Sequence, residues 1–313
     1  MNIVFMGTPD FAVPCLQALI DNGENLQAVF TQPDKPKGRG YKMLPPPVKS
    51  LALTYNIPVY QPLSLKKGED AENALNILKD LSPDLIIVVA YGKILPKEIL
   101  ELPKYYCINV HASLLPRYRG AAPIQWCVLN GEKETGVTTM LMAEGLDTGD
   151  MLLKESVAIG DDETASELHD RLSAVGAELL IKTISAVKVG TITREKQEDS
   201  LSNYASMITK DMCPIDFSLP AQQIHNKIRG LSASPCAATM LNGKRLKIFK
   251  STMSDKKKYD LAAGTVVNEK DFTVVCGDGY TVTFTEVQSE GGKRMKVSDF
   301  LRGNHIEKGI CLN

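Results

Sequence analysis

Residues 85–90 read L-I-I-V-V-A, with Pro83-Asp84 before them and Tyr91-Gly92 after. A strand with one wet face alternates apolar and polar residues. An unbroken apolar run between turn residues instead suits a strand covered on both faces, as in a parallel sheet. Residues 3–6, 26–30 and 107–110 repeat the pattern, and helix-type spacing (Leu16, Leu19, Ile20) follows Gly7-Thr8-Pro9. Strands alternating with helices predict βαβ units and a doubly wound, mostly parallel α/β sheet. Even the run at 85–90 falls far short of the roughly 20 residues that cross a bilayer, so no membrane partner is expected.

The pattern does not continue to the end of the chain. Thr164-Ala165-Ser166-Glu167 reads as a capping box, and Leu168, Leu172, Val175 and Leu179 follow at helical spacing. The polar stretch 193–202 suits a linker. Residues 218–229 suit a helix capped by Ser218, and beyond it the texture is β. Asn242-Gly243 predicts a hairpin turn into the alternating run R-L-K-I-F at 245–249. Residues 273–276, the Gly-Asp-Gly at 277–279 and residues 281–287 predict a second hairpin. Five short strands of this kind fit a small OB-like antiparallel β-barrel. With 313 residues, at roughly 150 per domain, two domains are expected. Their expected bounds are 1–189 for a catalytic α/β domain, 190–209 for a linker and 210–313 for the barrel.

The net charge of −1 argues, as a whole-chain number, against a dedicated nucleic-acid binder. Split by texture it says something else. Residues 1–204 carry 20 basic and 26 acidic side chains, residues 205–313 carry 16 and 11. A basic barrel behind an acidic α/β domain is compatible with RNA. The seven cysteines are scattered with no C-x-x-C pair, so no disulfide framework and no metal are expected. The start M-N-I-V-F-M-G-T-P-D lacks a signal peptide's basic and apolar regions, which predicts a cytoplasmic protein. G-x-G-x-x-G and the P-loop are both missing, which disfavours a nicotinamide dehydrogenase or P-loop reading.

The chemistry concentrates in three segments. Asn109 and His111 lie two apart near the end of an expected parallel strand, so both face one side, where open α/β sheets take ligands. A lone histidine at a strand end is most often a satisfied structural residue. The neighbouring amide and the Pro-terminated loop Ser113-Leu114-Leu115-Pro116 shift that balance toward oxyanion binding and proton transfer. Gly145-Leu146-Asp147-Thr148-Gly149-Asp150 reads by itself as a turn, but Asp147 can orient a histidine or stabilise its cation. Residues 33–47, P-D-K-P-K-G-R-G-Y-K-M-L-P-P-P, far exceed the usual 2–6 residues of a βα connection. They carry Lys35, Lys37, Arg39 and Lys42 against one acid, Asp34, so they read either as a solvated loop or as a phosphate-gripping one.

Together N-V-H-A-S-L-L-P-R-Y-R-G-A-A-P-I-Q (109–125), G-L-D-T-G-D (145–150), M-G-T-P-D-F (6–11), P-D-K-P-K-G-R-G (33–40) and V-V-A-Y-G-K-I-L-P (88–96) resemble the folate-dependent formyltransferase family over nearly the whole chain. The likeness is greatest to members whose acceptor is methionine carried on initiator tRNA. It implies formyl transfer from 10-formyltetrahydrofolate to the amino group of initiator methionyl-tRNA, in a formyltransferase-type α/β fold followed by the barrel. Asn109, His111 and Asp147 match the family's catalytic residues. Ser113, Leu114, Leu115 and Pro116 match its folate-binding loop, with residues 91–95 beside it. Lys35, Lys37, Arg39 and Lys42 match the loop that grips the acceptor stem, Arg39 foremost. The basic barrel, with Lys244, Arg245, Lys247, Lys250 and Lys256 to Lys258, would hold the tRNA backbone. Tyr118 departs from the tryptophan of many relatives without touching the catalytic set. The expected partners are initiator methionyl-tRNA and folate, and the expected state is a monomer. A sugar-nucleotide formyltransferase using the same donor, or a catalytically silent tRNA-binding protein, are the alternative readings.

Overall fold

The structure is a computed structural model that describes residues 1–37, 42–254 and 256–312. Its elements begin with β1 (Asn2–Gly7), α1 (Val13–Asp21), β2 (Asn25–Phe30), β3 (Lys35–Lys37), β4 (Lys42–Leu44) and α2 (Pro47–Thr54). Next come β5 (Val59–Tyr60), α3 (Glu69–Leu81), β6 (Leu85–Val89), α4 (Lys97–Leu100), β7 (Tyr106–His111) and β8 (Arg119–Gly120). After α5 (Pro123–Leu129) follow β9 (Glu134–Leu141), β10 (Met151–Ala158), the long α6 (Ala165–Lys188) and β11 (Tyr204–Ala205). The last part holds α7 (Ala221–Leu231), β12 (Ala237–Leu241), β13 (Lys244–Ser254), β14 (Val266–Asn268), β15 (Thr273–Val275), β16 (Thr281–Ser289), β17 (Met295–Lys296) and α8 (Val297–Gly303).

Two compact units result, each from three stretches of chain. The first comprises Met1–Gly120, Gly136–Val157 and Asp170–Tyr204; the second comprises Ala121–Thr135, Ala158–His169 and everything from Ala205 onward.

The first unit is built on a seven-stranded sheet of order β10-β9-β7-β6-β1-β2-β5. Strands β1, β2, β5, β6 and β7 are parallel, and β9 runs antiparallel to β7. The run at 85–89 is β6, paired on both edges and buried at every position, as its unbroken apolarity requires. Ala90, at φ +46°, turns the chain out of the strand. Helix α3 places acids in its first turn and Lys79 in its last, complementing its dipole, and buries Ala74 and Leu78. Strand order reverses at β1: β2 and β5 extend one way, β6 and β7 the other. The carboxyl ends of β1, β6 and β7 therefore frame the crevice where such sheets take ligands.

The second unit is a bent antiparallel sheet of order β12-β13-β16-β15-β14, with β17 on β16, an OB-like half-barrel. Asn242 (φ +50°) and Gly243 (φ +73°) close the β12–β13 hairpin in the left-handed conformation of a two-residue turn. Register shifts between Ile248 and Ser251 bend β13 around a core that includes Ile224, Ile228, Phe272 and Phe284. The expected helix at 218–229 starts later, as α7. Ser218 does not cap it, because its N–H and hydroxyl both bond the Asp216 carboxylate, and Pro220 precedes the first turn.

The stretch Ala158–His169 belongs to this unit and is held there by buried polar groups. The capping box forms: Thr164 N–H donates to Glu167 Oε2 (3.0 Å), and Glu167 N–H to Thr164 Oγ1 (3.3 Å). His225 Nε2–H donates to the Asp161 carbonyl (3.0 Å), and Arg229 reaches the Gly160 and Glu163 carbonyls. Among the described residues no helix is long and apolar enough to cross a membrane.

Candidate active site

Asn109 and His111 stand on one face at the carboxyl end of β7, where Asn109 pairs with Val88 of β6 and His111 with Thr138 of β9. His111 is buried, and its Nε2 lies 2.9 Å from the Tyr118 carbonyl. A carbonyl only accepts, so the neutral ring carries its proton on Nε2. Its Nδ1 then faces Asp147 Oδ2 at 3.7 Å, an ion-pair distance rather than a hydrogen bond. Asp147 Oδ2 accepts the Gly120 N–H at 2.9 Å, and Oδ1 makes a long 3.5 Å contact with Asn109 Nδ2. One carboxylate thus gathers an amide, an imidazole and a backbone N–H.

Asp147 sits at φ +52°, a conformation that Asp tolerates better than most residues. The glycine two positions on is obligatory, since a Cβ on Gly149 would lie 1.8 Å from the Leu141 carbonyl oxygen. The turn at 145–150 is therefore specified by close backbone approach as well as by its acid. Such a set can donate to a developing oxyanion from Asn109, move a proton at His111 Nδ1, and neutralise the resulting cation with Asp147.

The loop after β7 is held from inside. Ser113 is buried and its hydroxyl donates to the Arg117 carbonyl (2.7 Å), while Thr138 Oγ1 donates to the Ser113 carbonyl and accepts the Leu115 N–H. Leu115 is buried with Met140 and Met151. That leaves the half-buried Leu114 and Pro116, with the backbone, as the loop's accessible part. In the neighbouring 91–95 segment Tyr91 is in the core rather than on a surface, whereas Ile94 is 61% exposed. Burial pushes the Tyr91 phenol's pKa upward. Thr8 Oγ1 and Gln32 Nε2 both donate to the Tyr91 carbonyl, tying the ends of β1, β2 and β6 together.

The stretch 33–47 is less loop-like than its length suggests: β3 and β4 pair antiparallel as a short ribbon. Lys35 is exposed on it, Lys37 and Lys42 are in its strands, and Arg39 lies outside the described residues. Its one acid is committed elsewhere. Asp34 accepts from Lys49 Nζ (2.8 Å) and Gln61 Nε2 (2.8 Å), which hold its carboxyl below the usual carboxylate range.

In the second unit the basic hairpin is regrouped. Lys250 is not free for phosphate, being ion-paired with Glu167, and Lys257 and Lys258 lie over Tyr259 and Tyr280. Strand pairing instead sets Lys296 opposite Glu286, and Arg294 stacks on Phe249, positions with no periodic signal in the sequence. The stretch 193–202, expected as a linker, contributes the buried Gln197, whose carboxamide donates to the Asp147 and Gly149 carbonyls. Among the described residues no group of three or more His, Cys, Asp or Glu side chains could hold a metal ion.

The chain matches the formyl transferase family over residues 1–184 and the formyl transferase C-terminal domain over 207–305. The methionyl-tRNA formyltransferase of Alkaliphilus oremlandii is 53% identical over 312 residues, covering 100% of this chain and 99% of that protein. That of Clostridium novyi is 54% identical over 310 residues, covering 98% of each. Among solved structures, the N-formyltransferase from Helicobacter canadensis in complex with folinic acid and dTDP-3-aminofucose has a TM-score of 0.68 at 22% identity, covering 92% of this chain and 99% of that one. At that identity the likeness is one of fold.

Proposed function

The chain belongs to the formyl transferase family, and we propose that it transfers the formyl group of 10-formyltetrahydrofolate to the amino group of methionine on initiator methionyl-tRNA, producing formylmethionyl-tRNA for translation initiation. The observation that carries the acceptor is the 53% identity to a methionyl-tRNA formyltransferase over the length of both proteins. The dTDP-3-aminofucose bound by the Helicobacter protein comes with 22% identity and says nothing about this chain's acceptor.

The donor supplies the formyl carbon; the neutral amine attacks it, the new C–N bond forms, and the bond to the folate nitrogen breaks. The amine loses a proton and the departing nitrogen gains one. Asn109 offers an amide N–H to the formyl oxygen as it becomes an oxyanion, a contribution of ~10²–10³ in rate for such a donor. His111 takes a proton at Nδ1, the nitrogen left open by its bond to Tyr118, and Asp147 stabilises the imidazolium. Residues 113–116 and 91–95 hold the folate, chiefly through backbone, Leu114, Pro116 and Ile94. Lys35, Lys37, Arg39 and Lys42 grip the acceptor stem, and Asp34, the one acid of the stretch, is itself paired with Lys49. In this reading the protein works as a monomer, in the cytoplasm where translation supplies its substrate.

Purified protein offered methionyl-tRNA and a dTDP-amino sugar together, with 10-formyltetrahydrofolate, is expected to formylate the tRNA alone. Label appearing on the sugar, or on neither, overturns the reading. Arg39→Ala is expected to raise KM for methionyl-tRNA and to reduce the salt slope of binding by about 1, one phosphate contact. An unchanged slope removes the ribbon from the tRNA interface.

A further inference from the structure

Residues 195–203 are bound into the first unit along their length. Glu195 pairs with Met151 through both backbone bonds, at 2.8 and 2.9 Å. Gln197 is buried, and protein groups bond both of its N–H directions and its oxygen. Its Nε2 donates to the carbonyls of Asp147 (2.8 Å) and Gly149 (2.7 Å), and its Oε1 accepts from Arg119 Nε (2.9 Å). Arg119 Nη2 in turn pairs with Asp199 (2.8 Å). Asn203 takes the Tyr118 N–H on its side-chain oxygen and the Arg119 N–H on its carbonyl.

Residues 118–120 supply both partners that complete the constellation. The Tyr118 carbonyl accepts from His111 Nε2, and the Gly120 N–H donates to Asp147 Oδ2. We infer that Gln197 is a positioning residue for formyl transfer: its carboxamide locks the 147–149 turn so that the Asp147 carboxylate meets Asn109, His111 and Gly120. The inference rests on the role given to Asp147 above. Two carbonyls and one guanidinium N–H require two donors and one acceptor on a single short arm. Glutamate lacks the donors, lysine lacks the acceptor, and methionine lacks both, so of residues this length only glutamine satisfies all three. Without it the left-handed Asp147 loses the backbone anchor that aims its side-chain contacts with Asn109, His111 and Gly120.

The test uses Gln197→Met and Gln197→Glu, each alone and in an Asp147→Asn background, in the full-length protein. Misplacement of a catalytic group by about 1 Å costs ~10² in rate, so kcat is expected to fall by that order in both single variants. KM for methionyl-tRNA is expected to stay near wild type. Because Gln197 acts through Asp147, neither change is expected to lower kcat further in the Asp147→Asn background. A wild-type kcat in Gln197→Met, or an equal fall with and without Asp147, overturns the inference. Hydrogen exchange at the Gly120 amide reads the same geometry without turnover: about tenfold lost protection is expected in Gln197→Met, and unchanged protection overturns it. Wild-type protein that transfers no formyl group defeats the functional reading instead, and Gly120 exchange still decides the positioning.

Discussion

His111 in the first unit and His225 in the second are both nearly buried, 6% and 3% exposed, and both lie against aspartates. What separates them is whether the neutral ring has closed its hydrogen bonds. His225 accepts the Ser251 hydroxyl at Nδ1 (2.9 Å) and donates from Nε2 to the Asp161 carbonyl (3.0 Å), with Asp162 Oδ1 3.4 Å away. Burial, with the Arg229 charge beside it, pushes its pKa below the ordinary imidazole value. His111 closes only Nε2, and its other nitrogen looks at a carboxylate 3.7 Å away. Neither burial nor an acidic neighbour separates the two rings; the open nitrogen does.

The largest effect that sharpens this contrast is on turnover. His111→Ala or Asp147→Asn is expected to lower kcat by ~10³, the joint scale of a positioned acid–base group and an electrostatic stabiliser. Melting temperature should move little in the isosteric Asp147→Asn, whereas His111→Ala also strands the Tyr118 carbonyl and is expected to lower it by a few degrees. Single-turnover kinetics beside thermal unfolding checks both. A variant that lost stability but kept its kcat would make His111 a second His225.

The reverse experiment is His225→Leu. It strands the buried Ser251 hydroxyl, at about 1–3 kcal/mol when unsatisfied, and gives up the bond to the carbonyl of the exposed Asp161. A loss of ~1–3 kcal/mol in urea unfolding is expected, with kcat per folded molecule retained. The pH dependence carries a sign as well. The folded pKa lies below the unfolded value near 6.5, so the unfolded chain takes up the proton first. This contribution to stability is complete above pH 6.5 and is lost as pH falls through the folded value. Unfolding curves between pH 8 and pH 5 should show that slope in wild type and not in His225→Leu.

Local signals in the sequence are legible where one element meets its own neighbours. The run at 85–89 is a buried strand because both faces are apolar, and Asn109 and His111 share a face because strand period is two. Thr164 and Glu167 form their box because the partners are three apart. Long-range polar pairing leaves no such period. Gln197 meets Asp147 from 50 positions away, and nothing in the flanking polar residues separates it from a linker. The ribbon of β3 and β4 is hidden for a related reason, since Pro36 and the surrounding charges lack strand composition. Ser218 fails as a cap because Asp216, two residues earlier, competes for its hydroxyl and its N–H.

The smallest expected effect concerns the same stretch that His225 holds, through a charge instead of a closed hydrogen bond. Partial burial opposes the charged form of Glu167, but Lys250 and the N–H and hydroxyl of Thr164 outweigh it and bring its pKa down to about 2. The side chains of Lys250 and Glu167 remain 32% and 47% exposed, so solvent and salt screen the pair. Glu167→Gln keeps an acceptor for Thr164 and replaces the charged oxygen that faces Lys250 with a neutral amide nitrogen. A loss of no more than about 1 kcal/mol at pH 7 is expected, smaller still in high salt. Since the folded pKa is depressed, the charge contributes fully above the unfolded value near 4.5 and its contribution is lost as pH falls toward 2. Unfolding free energies of wild type and variant should therefore converge across that window and with added salt. A difference that persisted in acid and in salt would mean that Glu167, like His225, acts through a buried hydrogen bond rather than through its charge.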